Sequence, residues 1–311
     1  MKRWLTGIAH DFEPQSLRMN ASQRRAGQAL PITLVLLAAV VVWYGAAWVL
    51  NAPGALERVL DADLGFTWQQ LFVSTMGMER PLLPAPHQVL ADVVESLTAW
   101  PLGSPRNLLF HVAVSAQSTL VGFAMGTLLG LLLAVLIVHS RTLDRALLPW
   151  IVASQTVPVL AIAPIVLVIL GSLGLSGVLP KAVIAMYLCF FPVTVAMVQG
   201  LRSAQVIESE MMHTYAASRW QTLWLLRWPA ALPFLFPALR VGVAAGLVGA
   251  MVAELPTGAQ AGLGARLLTG SYYGQTVQIW SALVLSALLG LALTGAVAGA
   301  ERLVLRHRGG R

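Results

Sequence analysis

The stretch "SRWQTLWLLRWPAALPF", Ser218 to Phe234, holds three tryptophans, two arginines and two prolines in seventeen residues. It interrupts an otherwise apolar chain. Its arginines place it outside a bilayer, while its tryptophans and leucines make a strongly apolar surface. A water-facing segment keeps such side chains only where something covers them.

The chain has 311 residues, 57% hydrophobic and 11% charged, with a mean hydropathy of +0.74. Soluble domains carry about 25% charged residues. The 20 basic and 13 acidic side chains here are too few to coat a core of that apolarity. The apolar residues also fall in blocks, and blocks of about 20 such residues cross a bilayer as helices, where no water satisfies the backbone. Six blocks can be drawn, at residues 31–50, 108–138, 148–171, 181–200, 232–253 and 277–300. This predicts an all-α, six-span membrane protein.

The net charge of +7 is explained by position rather than by nucleic acid. With the N-terminus inside, one side holds Lys2, Arg3, Arg18, Arg24, Arg25, Arg141, Arg145, Arg202, Arg219, Arg227, Arg302, Arg306, Arg308 and Arg311. The other side holds Arg58, Arg80, Arg106, Lys181 and Arg266, with Arg240 inside the fifth block. Excess Lys and Arg mark cytoplasmic segments, so both termini are expected in the cytoplasm. No early apolar region argues for a cleaved signal peptide, and the first block is expected to act as an uncleaved start-transfer helix.

The resulting division is a cytoplasmic segment 1–30, a first span 31–50, an external segment 51–107, a core 108–305 containing a cytoplasmic loop 201–231, and a tail 306–311. The external segment carries six of the thirteen carboxylates. Within it "LPAPHQVLADVVESL" reads as a turn opening an amphipathic helix with Val89, Val93 and Leu97 on one face. Glycines recur four apart at Gly122, Gly126 and Gly130, at Gly242 and Gly246, and at Gly295 and Gly299, a spacing expected to pack helices inside the bundle.

Catalytic chemistry is not evident. There is no G-x-x-x-x-G-K-[ST] phosphate loop and no G-x-G-x-x-G after a strand. The six histidines lack metal-site spacing, and Cys189 reads as a core filler. No catalytic residue, metal or nucleic-acid partner is expected. Ionisable groups inside a bilayer are costly and usually functional. Arg240 is expected to reach the cytoplasmic interface, and Glu254 and Lys181 to sit at the external interface.

Within the loop, "VIESEMMHTYA" predicts a helix over 206–216 with Ile207, Met211 and Tyr215 on one ridge beside Met212. Methionine repacks easily and suits an adaptable contact. Ser218 is a credible N-cap for a second helix, Arg219 to Trp228, stopped at Pro229. Trp220, Leu223, Trp224 and Trp228 form its apolar stripe.

These residues resemble the permeases of binding-protein-dependent importers, whose cytoplasmic loop carries an E-A-A pattern, a glycine, and a hydrophobic run ending in prolines. Here "EMMHTYAASRWQTLWLLRWPAALP" supplies Glu210, the Ala217 to Trp220 turn and "WPAALP". The nitrate, sulfonate and taurine branch is most similar, sharing "LPAPHQVL", Pro158 and Pro164, "FFP" (Phe190 to Pro192), and "VAE" (Val252 to Glu254) followed by "GLG" (Gly262 to Gly264). The likeness spans about residues 80 to 305. Met211 and Met212 replace the two alanines and Ala216 the glycine, so Ala216 is expected to avoid a left-handed backbone, or the bend to move toward Ser218.

The resemblance implies a type I importer permease bundle in the bacterial inner membrane, with no enzymatic activity of its own. It also implies two permease subunits, homo- or heterodimeric, in contact with lipid. ATP and Mg would be bound by separate ATPase subunits, and an external solute-binding protein would deliver cargo. ATPase coupling would fall to Glu210, Met211, Met212, Tyr215, Ala216, Ser218 and Arg219. Candidates for the translocation path are Gln155, Thr156, Tyr187 and Thr194. Gln155 stands where relatives often have a basic residue, which disfavours a strongly anionic sulfonate and admits a pyrimidine-like heterocycle beside the nitrate, sulfonate and taurine options. The rival reading, an ion-coupled carrier, would call for more intramembrane carboxylates and an inverted repeat.

Overall fold

The computed structural model describes residues 21–61, 67–256 and 261–308, and among these every regular element is helical. Five helices are long and apolar enough to cross a membrane, and a bent pair makes a sixth candidate span. Lys2, Arg3 and Arg18 of the expected segment 1–30, and Arg311 of the tail, lie outside the described residues. The chain divides into two compact units, residues 1–88 and 89–311.

In the first unit, α1 (Ala21–Asp61) begins before the expected 31–50 block and runs past it. The flanking residues are largely Ala, Gln, Arg and Leu, which favour helix even where hydropathy falls. Its far half is fastened to the segment before α3. Asn51, buried, donates from Nδ2 to the Leu83 carbonyl at 2.7 Å and accepts from the Leu82 amide at 2.7 Å. Trp43 donates to the Pro84 carbonyl at 3.0 Å. Tyr44 stacks on His87 with the rings 7° from parallel. A short helix, α2 (Trp68–Met76), buries Leu71 against Ala55 and Met78.

The second unit starts inside α3 (Pro86–Ala99), whose Val89 is buried and Val93 and Leu97 half-buried, the face predicted from the sequence. Next come α4 (Leu108–His139), α5 (Arg141–Ser154), α6 (Val159–Ser172) and α7 (Val178–Leu201). Asn107 caps α4, accepting from the Leu109 amide at 2.8 Å. The expected third span is not one rod: α5 and α6 meet at 101°. Pro158 lies at the break, where its ring disfavours a helical Val157.

Helix α7 is the central element, packed chiefly against α4 and against α10 (Trp228–Ala253). Glycine makes both approaches possible. A methyl group at Gly122 would lie 2.4 Å from the Ala185 Cβ, and one at Gly126 2.6 Å from the Cys189 Cβ. From the other side, a methyl at Gly246 would lie 2.6 Å from the Cys189 sulfur. Gly295 and Gly299 differ: among the described residues no atom comes within 4 Å of a methyl placed there, so their spacing packs none of these helices. They lie on α12 (Thr276–Arg308), which continues helical through Arg306 and Arg308 and is preceded by α11 (Leu263–Tyr272).

Between α7 and α10 the loop forms α8 (Val206–Thr214) and α9 (Arg219–Thr222). Two expectations fail here. Ala216 does take a left-handed backbone, φ 49°, the only non-glycine with positive φ among the described residues. The cause is the helix end: the Ala217 amide reaches back to the Met212 carbonyl at 3.0 Å, a six-to-one bond that requires a left-handed residue at Ala216. Nor does Pro229 stop the second helix. A π-turn, Leu223–Arg227, widens the coil ahead of it, and the helix continues from Arg219 to Ala253. The wider turn leaves room for a residue that lacks an N–H.

Candidate functional site

The loop presents an apolar face. Ile207 is 70% exposed, Met211 55% and Tyr215 75%. Their i, i+4, i+8 spacing places them in one row along α8 and its C-cap, Tyr215. Met212 turns partly inward, while Glu210, Ala216, Ser218 and Arg219 are exposed. The Ser218 cap forms as predicted and is reciprocal, each residue closing a backbone donor of the other. The Ser218 hydroxyl accepts from the Gln221 amide at 3.2 Å, and the Ser218 amide donates to Gln221 Oε1 at 2.8 Å. The tryptophan stripe divides. Trp220 and Trp224 face outward, but Leu223 is buried with Ile137, Leu201 and Leu235, and Trp228 packs on the same cluster. At the base of the loop Arg202 pairs with Asp144 at 2.9 Å. A cavity of about 320 Å³ opens beside them, lined also by Arg141 and Arg227.

At the opposite end of α10 the pattern reverses. Glu254, expected at the interface, is fully buried. Both carboxylate oxygens accept from the Ser115 hydroxyl at 2.9 Å, Oε2 accepts from the Gly264 amide at 2.8 Å, and Lys181 Nζ stands 3.5 Å from Oε1. Lys181, also buried, donates to the Ala261 carbonyl at 2.9 Å. Ser115 in turn accepts from the Leu263 amide at 2.8 Å. His111 Nδ1 accepts from the Gly262 amide at 3.0 Å, while its Nε2 donates to the Pro105 carbonyl at 2.7 Å. Burial pushes the Glu254 carboxyl, one residue past the α10 span, above its ordinary range, and Lys181, the Gly264 amide and the Ser115 hydroxyl pull it back.

The two glycines of "GLG" make this cluster possible. Gly262 has φ +126°, and a methyl there would lie 2.1 Å from the Glu254 carboxyl carbon. At Gly264 a methyl would lie 2.2 Å from the Met251 carbonyl. With no side chain at 262 or 264, the backbone amides of 262–264 close onto α4 and onto the end of α10. The motif was visible in the sequence; its role in enclosing a carboxylate was not.

Of the four path candidates, three gather at the α5–α6 bend. Gln155 and Thr156 are exposed there, and the Tyr187 hydroxyl donates to the Ser154 carbonyl. Thr194 is separate: buried on α7, it bonds the Phe190 carbonyl of its own helix at 2.7 Å. Arg240, expected only to reach an interface, pairs with Glu301 of α12. No group of three or more His, Cys, Asp or Glu suited to a metal occurs among the described residues.

Long apolar helices thus surround a glycine-packed centre and are interrupted by an exposed two-helix loop. The family described as "Binding-protein-dependent transport system inner membrane component" matches residues 126–306. The formylaminopyrimidine transport permease protein ThiX of Halalkalibacterium halodurans is 29% identical over 288 residues, covering 92% of this chain and 98% of its own. The riboflavin transport system permease protein RibX of Chloroflexus aurantiacus is 32% identical over 252 residues, covering 81% and 90%. The taurine transport system permease protein TauC of Escherichia coli is 28% identical over 223 residues, covering 71% and 78%.

The chain belongs to this family of binding-protein-dependent inner-membrane permeases. It is a multi-pass transport subunit of an ATP-driven importer rather than an enzyme, and such importers work with an ATPase and a solute-binding protein.

Proposed function

We propose that two copies of this chain, or this chain and a second permease, form the path for a small nitrogen heterocycle, and that a cytoplasmic ATPase holds each loop through α8. The exposed row of Ile207, Met211 and Tyr215 carries the docking half of this reading. Three large apolar side chains in one short water-facing row mark a surface that a partner covers. ATP and Mg belong to that ATPase, and both termini of the permease lie on its side of the membrane. Arg219 to Ala253 is one helix, so a tilt of the loop moves a rod of about 50 Å, at roughly 1.5 Å per residue. Nucleotide-driven changes in the ATPase thereby bias which side of the path is open.

The heterocycle is favoured over a sulfonate or nitrate by Gln155, which brings no positive charge to the bend. The formylaminopyrimidine and riboflavin permeases, which align over most of this chain, point the same way.

A charge placed in the α8 row tests the docking. Met211→Asp, chosen because Met212 turns partly inward, would bury an unpaired carboxylate in the ATPase contact at a cost of a few kcal/mol. ATPase association is expected to weaken about a hundredfold, at roughly 1.4 kcal/mol per decade. Membrane insertion should be unchanged, and Arg308→Asp should bind normally. Full ATPase binding by Met211→Asp would reduce α8 to a helix lying on lipid headgroups.

A further inference from the structure

A cavity of about 630 Å³ lies between α4, the end of α6 and the start of α7, lined by Val114, Gln117, Leu167, Leu175 and Lys181 among others. Its volume is that of a small-molecule site, for which roughly 300–1,000 Å³ is usual. Its walls are mainly apolar, with few polar groups. One is Gln117, exposed, whose amide makes no hydrogen bond among the described residues. Another is Lys181, whose ammonium is held by the Ala261 carbonyl and the Glu254 carboxylate.

Gln117 decides what the cavity is for. It sits in the first third of the α4 span, where an unpartnered amide is costly wherever it faces hydrocarbon rather than water. Polar residues inside spans face a bundle interior or a water-filled cavity instead. The polar end of this cavity is also electrically balanced, since Glu254 neutralises Lys181 at 3.5 Å. An anion or a cation entering would lose its hydration without gaining a counter-charge. A neutral molecule with a flat apolar body and an amide-complementary edge loses little and satisfies Gln117.

We propose that this cavity is a solute-holding site on the translocation path, taking a small uncharged planar heterocycle that hydrogen-bonds Gln117, with the Lys181–Glu254 pair keeping its polar end neutral. This rests on the permease reading above and names a place in the chain where cargo is held.

The test uses the full transporter, with its ATPase and binding protein, in a Cys189→Ala background. Gln117→Cys is exposed to a negatively charged, membrane-impermeant methanethiosulfonate, with Leu128→Cys, on an exposed apolar position of α4, as the lipid-facing control. Gln117→Cys should react at least tenfold faster than Leu128→Cys, and modification should abolish uptake of a radiolabelled 4-aminopyrimidine. Equal rates, or modification that leaves uptake intact, would make the cavity a lipid-filled groove and overturn the proposal. Where Gln117→Cys does not assemble, Leu175→Cys on the facing wall gives the same reading. In a second arm, Gln117→Leu should lower uptake tenfold or more with ATPase association unchanged, and Gln117→Asn should retain most of it. Unchanged uptake by Gln117→Leu overturns the amide's role. If the Cys189→Ala parent itself takes up no 4-aminopyrimidine, the heterocycle reading fails, while the labelling rates still decide whether the cavity meets water.

Discussion

The two ends of the helix that runs from Arg219 to Ala253 invert the usual arrangement in opposite ways. At the loop end apolar side chains are exposed: Ile207 and Met211 on α8, Tyr215 at its C-cap, then Trp220 and Trp224. At the far end polar side chains are buried: Glu254, Lys181, Ser115 and His111. Each inversion is costly unless something answers it. Among the described residues the buried end is answered by backbone amides and a counter-ion, while the exposed end is not. A rod whose one end is locked inside its own subunit and whose other end awaits a cover is suited to carrying a movement from a partner into the bundle.

Removing a partner from the locked end should have the largest effect. Glu254→Ala leaves Lys181 buried without its counter-charge and strands the Gly264 amide, a loss of about 3–5 kcal/mol by analogy with broken buried pairs. Thermal unfolding in detergent should show a marked loss of stability. The double variant Glu254→Leu, Lys181→Met should recover much of it, since replacing both charges removes the unpaired group. A double variant no better than the single one would mean that the amide contacts, rather than the ion pair, hold this end.

The loop end should answer in the other direction and more weakly. Ala216 holds a left-handed conformation that costs an L-residue roughly 1–2 kcal/mol and glycine almost nothing. Ala216→Gly is expected to stabilise the α8–α9 turn by about 1 kcal/mol, the excess being offset by glycine's greater freedom when unfolded. Amide exchange across 206–219 should slow about fivefold, a factor that corresponds to roughly 1 kcal/mol. Faster exchange in the variant would show that the turn is not held by the six-to-one bond.

The smallest effect belongs between the two ends. Arg240 and Glu301 join α10 to α12, but the arginine is 44% exposed. Such a pair contributes no more than about 1 kcal/mol. Arg240→Gln should shift the unfolding midpoint by only a few degrees. A shift matching that of Glu254→Ala would make this pair part of the locked end.

Much of this was legible in the residues because it is local. The apolar blocks announced the spans, Ser218 announced a cap, and Val89, Val93 and Leu97 announced a helix face, each from side chains within a few positions of one another. The path candidates show where local reading thins out: Gln155, Thr156 and Tyr187 meet at one bend, but Thr194, equally polar on paper, turns into its own helix. The glycine repeats show it again. The same four-residue spacing is filled by a neighbouring helix at Gly122 and Gly126 and left open at Gly295 and Gly299.

Composition and periodicity by themselves determined that the chain is an all-helical membrane protein with an exposed apolar loop, because hydrophobicity, capping and helical period act over one or two turns. Tertiary structure alone decided that Glu254 is buried rather than interfacial, for its partners Ser115 and Lys181 lie 139 and 73 positions away. It also decided that the third span bends and that the helix passes Pro229. Desolvation and close packing depend on what stands opposite a residue, and a single strand of sequence does not carry that neighbour.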